Sequence, residues 1–141
     1  MELHPSTEDF LAQLDIFSGH TLSRRRDLGV LIELASDSGR SSVLDELSFQ
    51  AKFISKCHGI MTRVGAGGEG YGRLLAEFSA SLEKAGSLMR SILSDATPEA
   101  NAHFTSTYLE TTPESFQNLL MLMYDLSWYK NWHMDRSRGI A

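Results

Sequence analysis

Apolar side chains between Pro113 and Met134 fall on nearly every side of a helical wheel: Phe116, Leu119, Leu120, Met123 and Leu126 are joined by Met121, Leu122, Tyr124 and Trp128. A helix wet along one side would confine them to a stripe. The spacing therefore predicts a central helix touching several neighbours. Thr112, Pro113 and Glu114 mark its start: a hydroxyl that can cap free backbone donors, a proline with a helix-compatible φ, and an acid at the positive end of the dipole. Gln117, Asn118, Asp125, Lys130 and Asn131 interrupt the run, whereas a bilayer span needs about twenty nearly continuous apolar residues.

Upstream, the same periodicity marks four further helices. Ser6 or Thr7 caps a short one through about Phe17, with Phe10, Leu14 and Phe17 at helical spacing and Gly19 beyond. A second runs over about 21–36, its face made by Leu28, Leu31, Ile32 and Ala35 and broadened by Val30 and Leu34. A third runs from Ser41 or Ser42 to about Val64 on Leu44, Leu47, Ala51, Ile54, Cys57 or His58, and Met61, with Val43, Phe53 and Ile60 alongside. Residues 73–95 carry the cleanest signal, Leu75, Phe78, Leu82, Ala85, Met89 and Ile92 stepping by threes and fours as in a coiled-coil seam. Ser79 and Gly86 flank that seam, and their small side chains would admit a close neighbour.

Thr97, Pro98 and Glu99 repeat the start signature and open a short helix to about Glu110. The pattern predicts an all-α protein, a five- or six-helix bundle in which a long antiparallel helical hairpin (about 42–95) packs on a central C-terminal helix (about 113–134). One domain spanning 1–141 is expected, with 1–5 and 136–141 as tails.

Charge and cysteine usage narrow the setting. A formal net charge of −5 repels nucleic acid and anionic lipid at long range, so neither is an expected partner. The single cysteine, Cys57, has no disulfide partner within the chain, and MELHPSTEDF has no apolar run resembling a signal peptide. Both point to a cytoplasmic setting.

Candidate chemistry is sparse. Five glycines lie between Gly65 and Gly72 just before a helix, yet no strand precedes them and no Gly-Lys-Ser or Gly-Lys-Thr follows, so a hairpin turn is the expected use. His4, His20, His58, His103 and His133 show no metal-ligand spacing, and no metal or cofactor is indicated. Cys57 and His58 point about 100° apart on a helix and cannot pair as nucleophile and base. Neither His58 nor His103 is followed at the third and fourth positions by the lysine and glycine of a helical phosphotransfer domain; Met61 and Thr62, and Ser106 and Thr107, stand there. No catalytic residues are assigned.

Two functions fit this pattern. The first is a non-enzymatic interaction or regulatory module, self-associating as a homodimer or presenting a helical face to a protein partner. The second is a small-ligand or metal-binding bundle, possible also as an enzyme, with a pocket between the central helix and the 98–110 helix walled by His103, Tyr108, Trp128, Trp132 and His133. Trp128, Tyr129 and Trp132 serve core, interface or pocket. Arg24, Arg25 and Arg26, in the first turns of a helix where cations are unfavourable, form a candidate anion-binding site, as does Arg73.

Overall fold

The computed structural model describes Leu11 and residues 22–127, and among these residues the structure is helical with no strand. In chain order the helices are α1 (Leu22–Asp37), α2 (Ser41–Val64), α3 (Tyr71–Leu93), α4 (Pro98–Phe104) continued by one π-helical turn (Thr105–Leu109), and α5 (Pro113–Leu126). The architecture is the expected all-α bundle: α2 and α3 form the long hairpin, α5 packs against α2 and the π turn, and α1 touches α2, α3 and α5. The predicted helix of 6–17 lies outside the described residues apart from Leu11, which is buried in the core, and so do both predicted tails.

Local chemistry sets these boundaries. Thr97 and Thr112 are extended in backbone, and their hydroxyls accept from the amides of Ala100 at 3.2 Å and Ser115 at 3.1 Å, each satisfying an orphan donor of the first turn. The hairpin turn needs its glycines: Gly65 and Gly70 have φ of 80° and 81°, and a Cβ on Gly68 would lie 2.7 Å from the Val64 carbonyl oxygen. Its register is fixed by polar pairs, Ser81 Oγ donating to Gln50 Oε1 at 2.5 Å and Lys84 Nζ lying 3.1 Å from Glu46. The other end of α3 is closed by a side chain, Asn101 Nδ2 donating to the Leu93 carbonyl at 3.3 Å.

The core joins Leu28, Leu31 and Ile32 of α1, Leu47 and Ile54 of α2, Met89 and Ile92 of α3, Phe104, and Leu122 and Met123 of α5. Each fully buried aliphatic side chain contributes roughly 1.5–3 kcal/mol relative to exposure. Along α5, Leu119, Leu120, Leu122, Met123 and Leu126 are buried and Met121 and Tyr124 half-buried, so neighbours surround the helix from its second turn onward. Phe116 departs from the expectation, being 52% exposed because the first turn of α5 lies at the edge of the bundle.

Leu75 departs likewise. The seam on α3 is buried at Leu82, Ala85, Met89 and Ile92, but Leu75 is exposed. The hairpin arms have 24 and 23 residues and α5 only 14, and the contact of α5 with the hairpin reaches the level of Phe78, where Tyr124, His58 and Phe78 meet. One turn further out, the seam has outrun the helix packed on it. Ser79 and Gly86 do not admit a close helix either: a Cβ on Gly86 would meet Leu109 at an ordinary 3.7 Å, and both residues border a cavity instead. Among the described residues no helix is long and apolar enough to cross a membrane.

Candidate functional site

Asp27, on the buried face of α1, ties three elements together. One carboxylate oxygen accepts the Tyr108 hydroxyl at 2.6 Å and the other lies 2.8 Å from His103 Nε2. Three residues before it, Arg24 Nε donates to Asp125 Oδ2 of α5 at 2.6 Å, both side chains being largely buried. Two acids and a base thus sit inside an apolar bundle, each charge held by a specific partner, as buried charges require. Tyr108 reaches Asp27 from the π turn, an element enriched at functional sites. Its backbone is held by side chains: Ser115 Oγ, Asn118 Nδ2 and Arg90 Nη2 donate to the carbonyls of Ser106, Thr107 and Leu109 at 3.3, 3.1 and 3.2 Å.

Burial, and then the hydrogen bond and charge of Asp27, push the Tyr108 phenol far above the ordinary tyrosine range. The folded chain therefore keeps this proton at pH values where an unfolded tyrosine, near pH 10, has lost it. The stability it contributes is whole below about pH 10 and falls as pH rises beyond, by up to about 1.4 kcal/mol per pH unit. Unfolding free energy measured across this alkaline range is expected to fall more steeply for the native chain than for Tyr108→Phe. Equal slopes would contradict a buried phenol on Asp27.

Two cavities flank this network. One, of about 320 Å³, is lined by Arg26, Asp27, Val30, Ala100, His103 and Phe104. The other, of about 340 Å³, opens between α3, the π turn and the start of α5, where Gly86, Arg90, Tyr108, Leu109, Phe116 and Leu119 line it. The second cavity lies beside the central helix and the 98–110 segment but has α3 as a further wall, and His103 lines the first cavity instead; Asp27 lines the first and reaches the second only through its hydrogen bond from Tyr108. Trp128, Trp132 and His133 lie outside the described residues, as does Tyr129. Of the arginines, Arg26 reaches a cavity and Arg24 is engaged by Asp125, while Arg73 stands on α3 within 3.7 Å of Glu77 and lines neither cavity. Arg25 is half-buried on α1. Among the described residues no group of three or more His, Cys, Asp or Glu side chains could hold a metal ion. Cys57 is buried, and desolvation pushes its thiol up, away from the reactive thiolate.

A second feature lies on the outer surface. Phe49 is 59% exposed and Phe53 37%, with Val64 exposed and Ile60 half-buried on the same helix, α2. At about 100° per residue these four positions fall within about 60° of one another, a single outward stripe. The opposite face of α2 carries the buried Leu47, Ala51, Ile54 and Met61. Large apolar groups exposed together on one outward face are disfavoured by hydration and mark interaction surfaces. Phe53 and Ile60 were read from the sequence as flanks of the core; Phe49 and Val64 complete a face that the core does not use.

Asp27 and Asp125 are the residues that spacing alone underplays. The available signal is an acid on an apolar helical face, since Asp27 shares the face of Leu28 and Leu31 and Asp125 sits between Tyr124 and Leu126. No protein-family model matches the chain, no curated protein is significantly similar to it, and no solved structure matches its fold.

Proposed function

We propose that the chain is a non-enzymatic interaction module that docks a helix of a protein partner along the outward stripe of α2. The observation that carries this reading is the exposure of Phe49 and Phe53 one turn apart, continued by Ile60 and Val64, on a helix whose core-facing side is already complete. An amphipathic helix laid on such a stripe buries the apolar surface that water now covers, by anchors spaced at one and two turns. A cytoplasmic setting suits the single cysteine.

If the stripe serves docking and not folding, Phe49→Ser with Phe53→Ser leaves the unfolding free energy within about 2 kcal/mol of the native value, about 1 kcal/mol for each half-exposed ring. A photo-crosslinking side chain at position 53 in the cell of origin then gives one discrete adduct that the same side chain at Ser87, on the outer face of α3, does not. A strongly destabilised double variant, or adducts equal at both positions, would contradict the reading.

A small-ligand bundle is the second reading, favoured by the cavity that Arg26 and His103 line together with the apolar Val30, Ala100 and Phe104. Few convergent polar groups on apolar walls are what such pockets present. Thermal-shift measurements with small anions test it: a saturable rise removed by Arg26→Ala and by His103→Ala supports it, and flat curves contradict it.

A further inference from the structure

Resting on the docking reading, we propose that the occupant of the α2 stripe is an acidic amphipathic helix of another protein. Beside the stripe, from Leu47 to Val64, the chain has Lys52, Lys56 and Arg63 and no aspartate or glutamate, although its net charge is −5; the acid on this edge, Asp45, stands one turn before Phe49, and Lys52 is also engaged within the fold. At about 100° per residue the three basic positions lie within about 40° of one another, along one edge of the stripe. All three are exposed. The other edge turns into the contact with α3, where the acids Glu46 and Glu77 already have Lys84 at 3.1 Å and Arg73 at 3.7 Å. A partner helix meets apolar surface bordered by positive charge, and the complement is an apolar stripe bordered by Glu or Asp. Opposed charge along the rim sets orientation and speeds encounter, while the buried stripe supplies affinity.

A second copy of this chain fits less well. The apolar spacing reads the same in both directions, so an antiparallel copy pairs Phe49 with Val64 and Phe53 with Ile60, the self-complementarity that a two-fold contact demands. The same two-fold sets the basic edge on the basic edge, with Lys56 facing its own equivalent. Like charges opposed at such a seam are destabilising. The apolar positions permit the homodimer and the charges disfavour it.

Fluorescence anisotropy with the full chain tests this, using two labelled synthetic helical peptides of about twenty residues, enough to cover the stripe. Both carry one leucine stripe; glutamates border it in the first and lysines in the second. The glutamate peptide is expected to bind at least about tenfold more tightly at low salt, the gap shrinking at high salt. Lys56→Glu with Arg63→Glu is expected to reverse the preference, and Phe49→Ser with Phe53→Ser to abolish binding of both peptides. Equal binding of the two peptides, lost in the phenylalanine variant, would overturn the acidic class and leave the docking surface standing. Binding of neither peptide, or binding indifferent to Phe49 and Phe53, would overturn both. A dimer in light scattering that Phe53→Ser dissociates would assign the stripe to a second copy and overturn the proposal.

Discussion

Replacing Leu122 by alanine is expected to lower the unfolding free energy by about 3 kcal/mol, within the range for a fully buried leucine that leaves a cavity behind. Leu122 has no exposed surface and lies with Met123 at the centre of the core, where α5 meets α2. The comparison that gives this number meaning is Phe116→Ala on the same helix. Its side chain is larger, but it is half in water at the edge of the bundle, so its loss should cost about 1 kcal/mol or less. Chemical denaturation of the two variants measures the difference. Equal losses would mean that α5 is not surrounded in the graded way described above.

Asp27→Ala is expected to cost about as much, roughly 3 kcal/mol, by a different mechanism. The carboxylate holds two groups, and hydrogen bonds to a charged partner are worth about 1.5–3 kcal/mol each when one side is left buried and unmade. Removing it leaves the buried Tyr108 hydroxyl without its acceptor at 2.6 Å and releases His103, so that α1 loses its polar link to α4 and the π turn together. Tyr108→Phe should cost less, because His103 still meets Asp27 and only one bond is lost. The double variant should cost less than the two single losses added, since removing both partners leaves neither group unsatisfied. A double-mutant cycle by denaturant unfolding measures this coupling, and strict additivity would contradict a direct Asp27–Tyr108 bond.

Much of the fold was legible because its determinants are local. Thr97-Pro98-Glu99 and Thr112-Pro113-Glu114 announce helices whose caps the structure contains, and glycine placement announces the turn between α2 and α3. The heptad-like steps of α3 identify its buried side down to Leu82, where the packing helix is present; at Leu75 the same pattern misleads, because periodicity records which side is apolar and not how far a neighbour extends. The candidate site was legible only in part. His103 and Tyr108 stand out by residue type, but their meeting point is Asp27, 76 and 81 residues away, and such a separation leaves no trace in spacing. Arg24 was read as part of a cationic cluster at a helix start, whereas Asp125, 101 residues on, accounts for it. Phe49 escaped notice for the opposite reason: an apolar residue in an apolar helix reads as core until the core has been filled by others.

On the proposed reading the chain binds with the outside of α2 and not with the cavity beside His103. Nuclear magnetic resonance of the full chain during titration with the glutamate-bordered peptide measures this most directly. Shift changes are expected to concentrate at Phe49, Phe53, Ile60 and Val64, with Asp27, His103 and Tyr108 unmoved. Changes centred on His103 and Arg26, with the α2 stripe silent, would contradict it.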